Sequence, residues 1–272
     1  MEYYKVLNDE MNHNGFQYKL GLNTDTSKFN DNKECKNGLH FCKKEDVSKW
    51  LRYGSKLAFI TIPETAQVCH FGNKSKADSI VIEKVINLQD WNECENKEFC
   101  LEAVKENGDF LEFVKNQTEE ICLEAVKHDG FALKFVKNQT EKICLEAVKE
   151  DWHTFYYVKN QTEEICLEAV KQNGNALKYV KNQTEKICLE AVKQRGSAVD
   201  YVENQTEKIC LEAVKKNGMV LQFVRKRTEK ICLEAVKKNG DALRFVENRT
   251  EEMYLEIAKQ NKRALKHAKN QN

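Results

Sequence analysis

Ile121-Cys-Leu-Glu-Ala-Val-Lys127 is the stretch that decides the fold: it recurs at 143, 165, 187, 209 and 231, always 22 residues on, with no insertion. Phe99-Cys-Leu-Glu-Ala-Val-Lys105 and Met253-Tyr-Leu-Glu-Ile-Ala-Lys259 hold the same register at the two ends, giving eight copies. A fixed period of this size is the mark of a repeat architecture, in which each unit buries its apolar face only against its neighbours.

The copy at 118–139 serves as the type. Thr118 suits an N-cap, and Glu119 and Glu120 fall in the first turn, where the helix dipole favours negative charge. Ile121, Cys122, Leu123, Ala125 and Val126 then span about 200° of a helix surface, too wide for a helix packed on one side and suited to one wedged between neighbours. Gly130 reads as the residue that ends this helix. A shorter second helix follows, with Ala132, Leu133, Phe135 and Val136 on its buried face. The expected fold is therefore mainly α: a right-handed-type α-solenoid of eight 22-residue two-helix repeats over residues 93–272. The aromatic position of the second helix runs Phe113, Phe135, Tyr157, Tyr179, Tyr201, Phe223, Phe245 and breaks to His267, with Ala268 in place of Val, a weakening that suits a terminal cap.

Residues 1–92 depart from this pattern and read as a small α+β domain. Tyr4 to Leu7, Leu39 to Cys42, Leu57 to Ile62, Gln67 to Phe71 and Ser79 to Ile86 read as strands, and Glu45 to Tyr53 as a helix with Val47, Trp50 and Leu51 inward. A polar, Gly- and Asn-rich loop fills the interval up to residue 37.

The repeat core, Leu-Glu-Ala-Val-Lys followed by Asn-Gly-x-Ala-Leu-x-Phe/Tyr-Val, resembles the short α-repeat family called domain of unknown function 4116, found in mimivirus-type giant viruses and some bacteria. Asn14-Gly-Phe-Gln-Tyr-Lys-Leu-Gly-Leu-Asn-Thr24, Cys35-x-x-Gly-Leu-His-Phe41, Tyr53-Gly54 and Lys76-Ala-Asp78 resemble the domain that precedes repeats in many such viral proteins. The resemblance implies a viral protein acting inside an amoebal host, and it brings no known activity.

The net charge of +1 opposes a nucleic-acid surface, which carries a strong basic bias. No stretch approaches the roughly 18 apolar residues of a membrane span, and the first residues lack a signal-peptide layout. We expect a monomer in the cytoplasm, in the host cytoplasm for a viral chain, with no membrane association. Seven of the 11 cysteines hold one repeat position, Cys100 to Cys232. Helices packed roughly 8–10 Å apart exceed the roughly 7 Å Cα limit for a disulfide, so these read as small buried hydrophobes. Six Asn-x-Thr triplets, from Asn116 to Asn248, follow from one repeated loop rather than from glycosylation.

Cys35, His40, Cys42, Cys69 and His70 lack the tight pairing of a zinc site, and no metal or other cofactor is expected. The order Gly38-Leu-His-Phe41, helix, Tyr53-Gly54 and apolar strand loosely resembles an ADP-ribosyltransferase, with His40, Tyr53 and Glu64 as candidates. No phosphate loop or nucleophilic triad is present in the sequence. The leading expectation is a non-enzymatic scaffold that binds a protein partner. The alternative is a host-modifying enzyme with an ADP-ribosyltransferase-like head and a substrate-selecting solenoid.

Contact residues are sought where the repeat leaves the sequence free. The position after the glycine runs Asp109, Phe131, His153, Asn175, Ser197, Met219, Asp241, Arg263; three residues on, it runs Glu112, Lys134, Tyr156, Lys178, Asp200, Gln222, Arg244, Lys266. Trp152 replaces the glycine in the third copy. Trp152, His153, Tyr156, Phe131, Lys134, Asn175, Lys178 and Met219 are the expected partner-binding residues, since Trp and Tyr are enriched in interface hot spots.

Overall fold

The computed structural model describes residues 2–29 and 37–269, with side chains placed through 260. It divides into two compact units, Met1–Asn138 and Gln139–Asn272.

The first unit opens with a β-rich head. β1 (Tyr3–Leu7), β2 (Asn12–His13), β3 (Phe16–Gln17), β4 (Gly21–Thr24), β5 (Leu39–Phe41), β6 (Lys56–Thr61), β7 (Val68–Phe71), β8 (Lys74–Ala77) and β9 (Ser79–Asn87) follow in order. Four of them form an antiparallel sheet in the order β1-β6-β9-β4, and three a second antiparallel sheet, β5-β8-β7. Leu7, Tyr18, Leu39, Phe41, Ala58, Ile60, Ala77, Ile80 and Ile82 make the core. Tyr4 and Cys42 exchange backbone hydrogen bonds of 2.9 and 2.8 Å, which join β1 to the end of β5.

Three features of the head differ from the sequence reading. The helix expected at Glu45–Tyr53 is a 3-10 helix, Lys44–Tyr53, with Val47 buried and Trp50 and Leu51 half-buried. The expected loop before residue 37 holds β2 and β3, which the two-residue Asn14-Gly15 turn (φ 52° and 80°) joins as a hairpin, and β4, which pairs with β9. β8 was missed because its polar Lys74-Ser-Lys sequence does not look like a strand; Gly72, at φ 60°, turns the chain into it.

Each complete repeat is a ten-residue α-helix followed by a six-residue 3-10 helix. The α-helices are α1 (Lys97–Glu106), α2 (Glu119–His128), α3 (Glu141–Glu150), α4 (Glu163–Gln172), α5 (Glu185–Gln194), α6 (Glu207–Lys216), α7 (Glu229–Lys238) and α8 (Glu251–Lys269). Asn96 caps α1 through Phe99 N at 3.0 Å, and Thr118 caps α2 through Ile121 N at 3.3 Å. Within each unit successive α-helices pack on one another. The described repeat cysteines are buried and free, and burial raises their thiols, Cys122, Cys144, Cys166 and Cys188 to about 11.

The glycine does not end the helix by a left-handed turn. That task falls to the preceding residue: Asn173 is extended (φ −147°, ψ 113°), accepts the last helical role through its N–H to Ala169 O, and caps the 3-10 helix by accepting from Asn175 N at 3.0 Å. Gly174 is needed for close approach instead. A Cβ there would sit 2.5 Å from Ala191 O of the next helix, and one at Gly108 would sit 2.8 Å from Ala125 O. The eighth copy carries Lys262 at this position, and α8 runs on as one helix, so its second helix does not separate. The side chains of Arg263, Lys266, His267 and Ala268 lie outside the described residues.

Candidate functional site

In the head, Lys5 lies between the two sheets and is 3% exposed. Strand alternation puts it on the core face of β1 with Tyr3 and Leu7. Its Nζ donates to His40 O at 2.8 Å, lies 2.8 Å from His13 Nδ1, and sits 4.7 Å from the centre of the Tyr18 ring. Burial pushes the Lys5 ammonium down to about 7. His13 and His40 are each pushed down to about 4, by burial and then by the neighbouring Lys5 charge. The Nε2 atoms of both histidines are buried without a hydrogen-bond partner among the described residues.

The hairpin turn at Asn14-Gly15 brings His13 over the Tyr53 ring, with centroids 4.2 Å apart. Tyr53 and Trp50, stacked 6.0 Å apart at 25°, come from the 3-10 helix and line a pocket together with Lys5, His13, Asn14 and His40. A second hollow, bordered by Asp25, Asn37 and Gly38, shares His13, Asn14 and His40 with the first.

The repeats offer a different kind of surface. Ala, Leu and Val of the 3-10 helix are buried, but its aromatic residue is not: Tyr179 is 38% and Tyr201 37% exposed, and Phe135, Tyr157, Phe223 and Phe245 are half-buried. The position expected in the core therefore carries partly exposed rings, which in the second unit recur from copy to copy. Where the preceding residue is basic, its cation lies over the ring, 4.5 Å for Lys134 on Phe135 and 4.5 Å for Lys178 on Tyr179. Tyr156 takes that place in the third copy. It is 71% exposed and packs edge-on against Tyr157 (5.4 Å) and Tyr179 (6.2 Å).

Residues 118–162, 140–183, 162–207 and 206–251 match the family described as Domain of unknown function (DUF4116), in overlapping windows one repeat apart. Residues 118–251 of the helical series are therefore similar to DUF4116 repeats. Residues 1–96 match a second family, Domain of unknown function (DUF7666). The chain is also 41% identical over 64 residues to "Uncharacterized protein R869" of Acanthamoeba polyphaga mimivirus, covering 22% of this chain and 46% of that protein. The chain thus spans less than half the length of that relative. No solved structure matches.

Against the DUF4116 frame, the residues singled out from the sequence fall into two groups. His153 and Tyr156, with Lys134 and Lys178, are exposed; Trp152, Phe131, Asn175 and Met219 are half-buried. Trp152 packs against His153 (centroids 3.9 Å apart, rings tilted by 33°), whose Nδ1 lies 2.7 Å from Asp151 Oδ1. His153 and Trp152 form one pair, and Tyr156, Tyr157 and Tyr179 another cluster.

In the DUF7666 head, His40 and Tyr53 line one pocket, whereas Glu64 lies exposed on the turn after β6 and does not line it. Cys35 lies outside the described residues. Cys42 donates to Tyr4 O at 3.5 Å, and His70 Nδ1 pairs with Ser75 Oγ at 2.7 Å. Among the described residues no three His, Cys, Asp or Glu side chains are grouped to hold a metal, and no helix is long and apolar enough to cross a membrane. Lys5 and His13 escaped the sequence reading. A lysine within an apolar strand and an Asn-Gly turn beside a histidine were the available signals.

The repeated Asn-Gln-Thr was also read too lightly. Gln183 Nε2 donates to Tyr201 O (2.9 Å) and Leu177 O (3.4 Å), while its Oε1 accepts from Glu203 N (3.0 Å). Gln117 and Gln205 bridge neighbouring DUF4116 repeats in the same way. Arg227 replaces glutamine and still reaches Leu221 O and Phe245 O.

Proposed function

We propose that the DUF4116 repeats act as a non-enzymatic scaffold for a protein partner in the host cytoplasm, and that the partner lies along the surface aromatic row. The observation that carries this reading is Tyr156, exposed on a row of further half-exposed rings that the fold does not bury. Rings held this way supply contact area at small entropic cost, and the neighbouring variable positions can select a partner. Within the second unit Trp152, His153, Asn175, Lys178 and Met219 serve as specificity positions, and in the first unit Phe131 and Lys134 serve as contact residues in their own right. The chain works as a monomer with no cofactor, no nucleic acid and no membrane.

The test is affinity capture from amoebal lysate with the full chain and with the Trp152→Ala/Tyr156→Ala double variant. Loss of one defined partner, with an unchanged melting curve, supports the scaffold. Equal capture by both removes this surface from consideration. The enzyme alternative draws no support from Glu64, which stands apart from the pocket holding His40 and Tyr53.

A further inference from the structure

We infer that the head is a receptor for the oxyanion end of a small molecule, a carboxylate or a phosphate, held by His13 and His40 beside Lys5.

The case begins with unmet hydrogen bonds. Buried polar atoms in folded proteins are almost always paired, because an unpaired one gives up its hydration with no bond to replace it. Here two ring nitrogens, His13 Nε2 and His40 Nε2, are buried without a hydrogen-bond partner among the described residues, and both histidines border the same two hollows. When Lys5 is charged it can only donate, so His13 Nδ1, 2.8 Å away, must accept. The proton of the neutral His13 ring is then on Nε2, which becomes a donor with nothing to receive it. The missing partner is an acceptor.

The charges present around the pocket choose its kind. Lys5 is buried in the pocket wall, Lys74 lines it, and Arg52 lies over the Tyr53 ring, 4.9 Å from its centre. Among the described residues no carboxylate lines the pocket that Trp50 and Tyr53 border, and the Asp25 carboxylate on the second hollow is taken up by Ser27 N and Gly38 N. A negative acceptor would complete the His13 donor and offset the buried ammonium, whose proton burial otherwise disfavours. The stacked Trp50 and Tyr53 rings flank the group that carries the oxyanion. Lys5 already donates to His40 O, so its part is to supply charge and to fix the His13 tautomer; the histidine ring contacts the ligand.

The inference is independent of the scaffold reading, since it concerns only the DUF7666 head.

The decisive experiment follows the histidine ring nitrogens of the full chain by NMR while phenyl phosphate and, separately, benzoate are added. The expected result is a saturable shift of the His13 and His40 Nε2 signals with at least one probe; phenyl phosphate alone would identify a phosphate ligand, and benzoate alone a carboxylate. Lys5→Met, which removes the charge and keeps the stem, should weaken binding at least tenfold, while Lys84→Met on the head surface should not. Unmoved ring signals with both probes in the wild-type chain would overturn the inference. So would unchanged affinity in a folded Lys5→Met chain.

Discussion

The repeats and the head handle buried polar groups in opposite ways. In the repeats, the glutamine of Asn-Gln-Thr joins backbone groups of two copies at once, and an Asn or Asp after the α-helix closes one helix and caps the next, with Arg195 after α5 as an uncapped exception. These groups are met by residues at fixed offsets. In the head, Lys5, His13 and His40 come from β1, β2 and β5 and leave two ring nitrogens unmet. A scaffold repeats its solutions; a site keeps some valences open.

The glycines show the same contrast and carry the largest expected effect. Gly54 has φ 146°, and a Cβ there would run into the backbone of Leu7 and Asn8. Gly54→Ala combines a left-handed strain with a backbone clash and should destabilise the head by about 3 kcal/mol or more. Gly174 has ordinary dihedrals and is limited only by Ala191 O, so Gly174→Ala should cost about 1–3 kcal/mol. Trp152 already occupies the equivalent position in the third copy, and Trp152→Gly should leave the melting temperature unchanged or raised. Denaturant curves with head- and repeat-specific probes separate these outcomes. Equal losses from Gly54→Ala and Gly174→Ala would show that conformation and approach are not distinct constraints.

A pH scan sharpens the comparison next. His13 and His40 titrate near 4 in the folded head against an unfolded value near 6.5, so between those values the unfolded chain binds more protons. The histidine contribution to head stability should therefore be fully present above about pH 6.5 and be lost as pH drops toward 4. Lys5 works in the same direction at higher pH. Its folded value of about 7 lies below the unfolded 10.5, so the head gains stability as pH rises through that interval. Amide exchange resolved by residue should show the head loosening on acidification before the second unit, where His153 is an exposed surface histidine.

How far the sequence could be read follows from the same division. The 22-residue period, the Thr caps and the buried Ile, Cys, Ala and Val positions are local and recur, so each copy reinforced the last. The 3-10 geometry of the second helix and the surface placement of Tyr179 and Tyr201 were not legible, because a six-residue apolar pattern looks alike in either helix type and on either side of the burial boundary. The glycine is legible as a required position but its reason is not, because contact with the next copy is invisible in one copy's sequence. In the head, Leu57 to Ile62 and Ser79 to Ile86 were readable as apolar strands. The pocket was not, since Lys5 and His40 are brought together by sheet pairing across 35 residues.

The smallest effects test whether the repeats are held by their glutamines or by their surface charges. Gln183→Ala removes three hydrogen bonds to backbone groups, two of them linking one copy to the next, and should cost about 1–2 kcal/mol. Lys186–Glu163, Lys208–Glu185 and Lys230–Glu207 form an equally regular ladder, at 3.1, 3.3 and 3.4 Å. These pairs are exposed, and solvent screens them while the long side chains give up rotamer freedom to meet. Lys208→Ala should leave the denaturation midpoint unchanged within error, at low salt as at high. A loss matching that of Gln183→Ala would mean that the charge ladder, and not the glutamine bridge, sets the spacing of the copies. Regularity alone would then have been the better guide to energy than burial, which is the opposite of what the geometry of Gln183 implies.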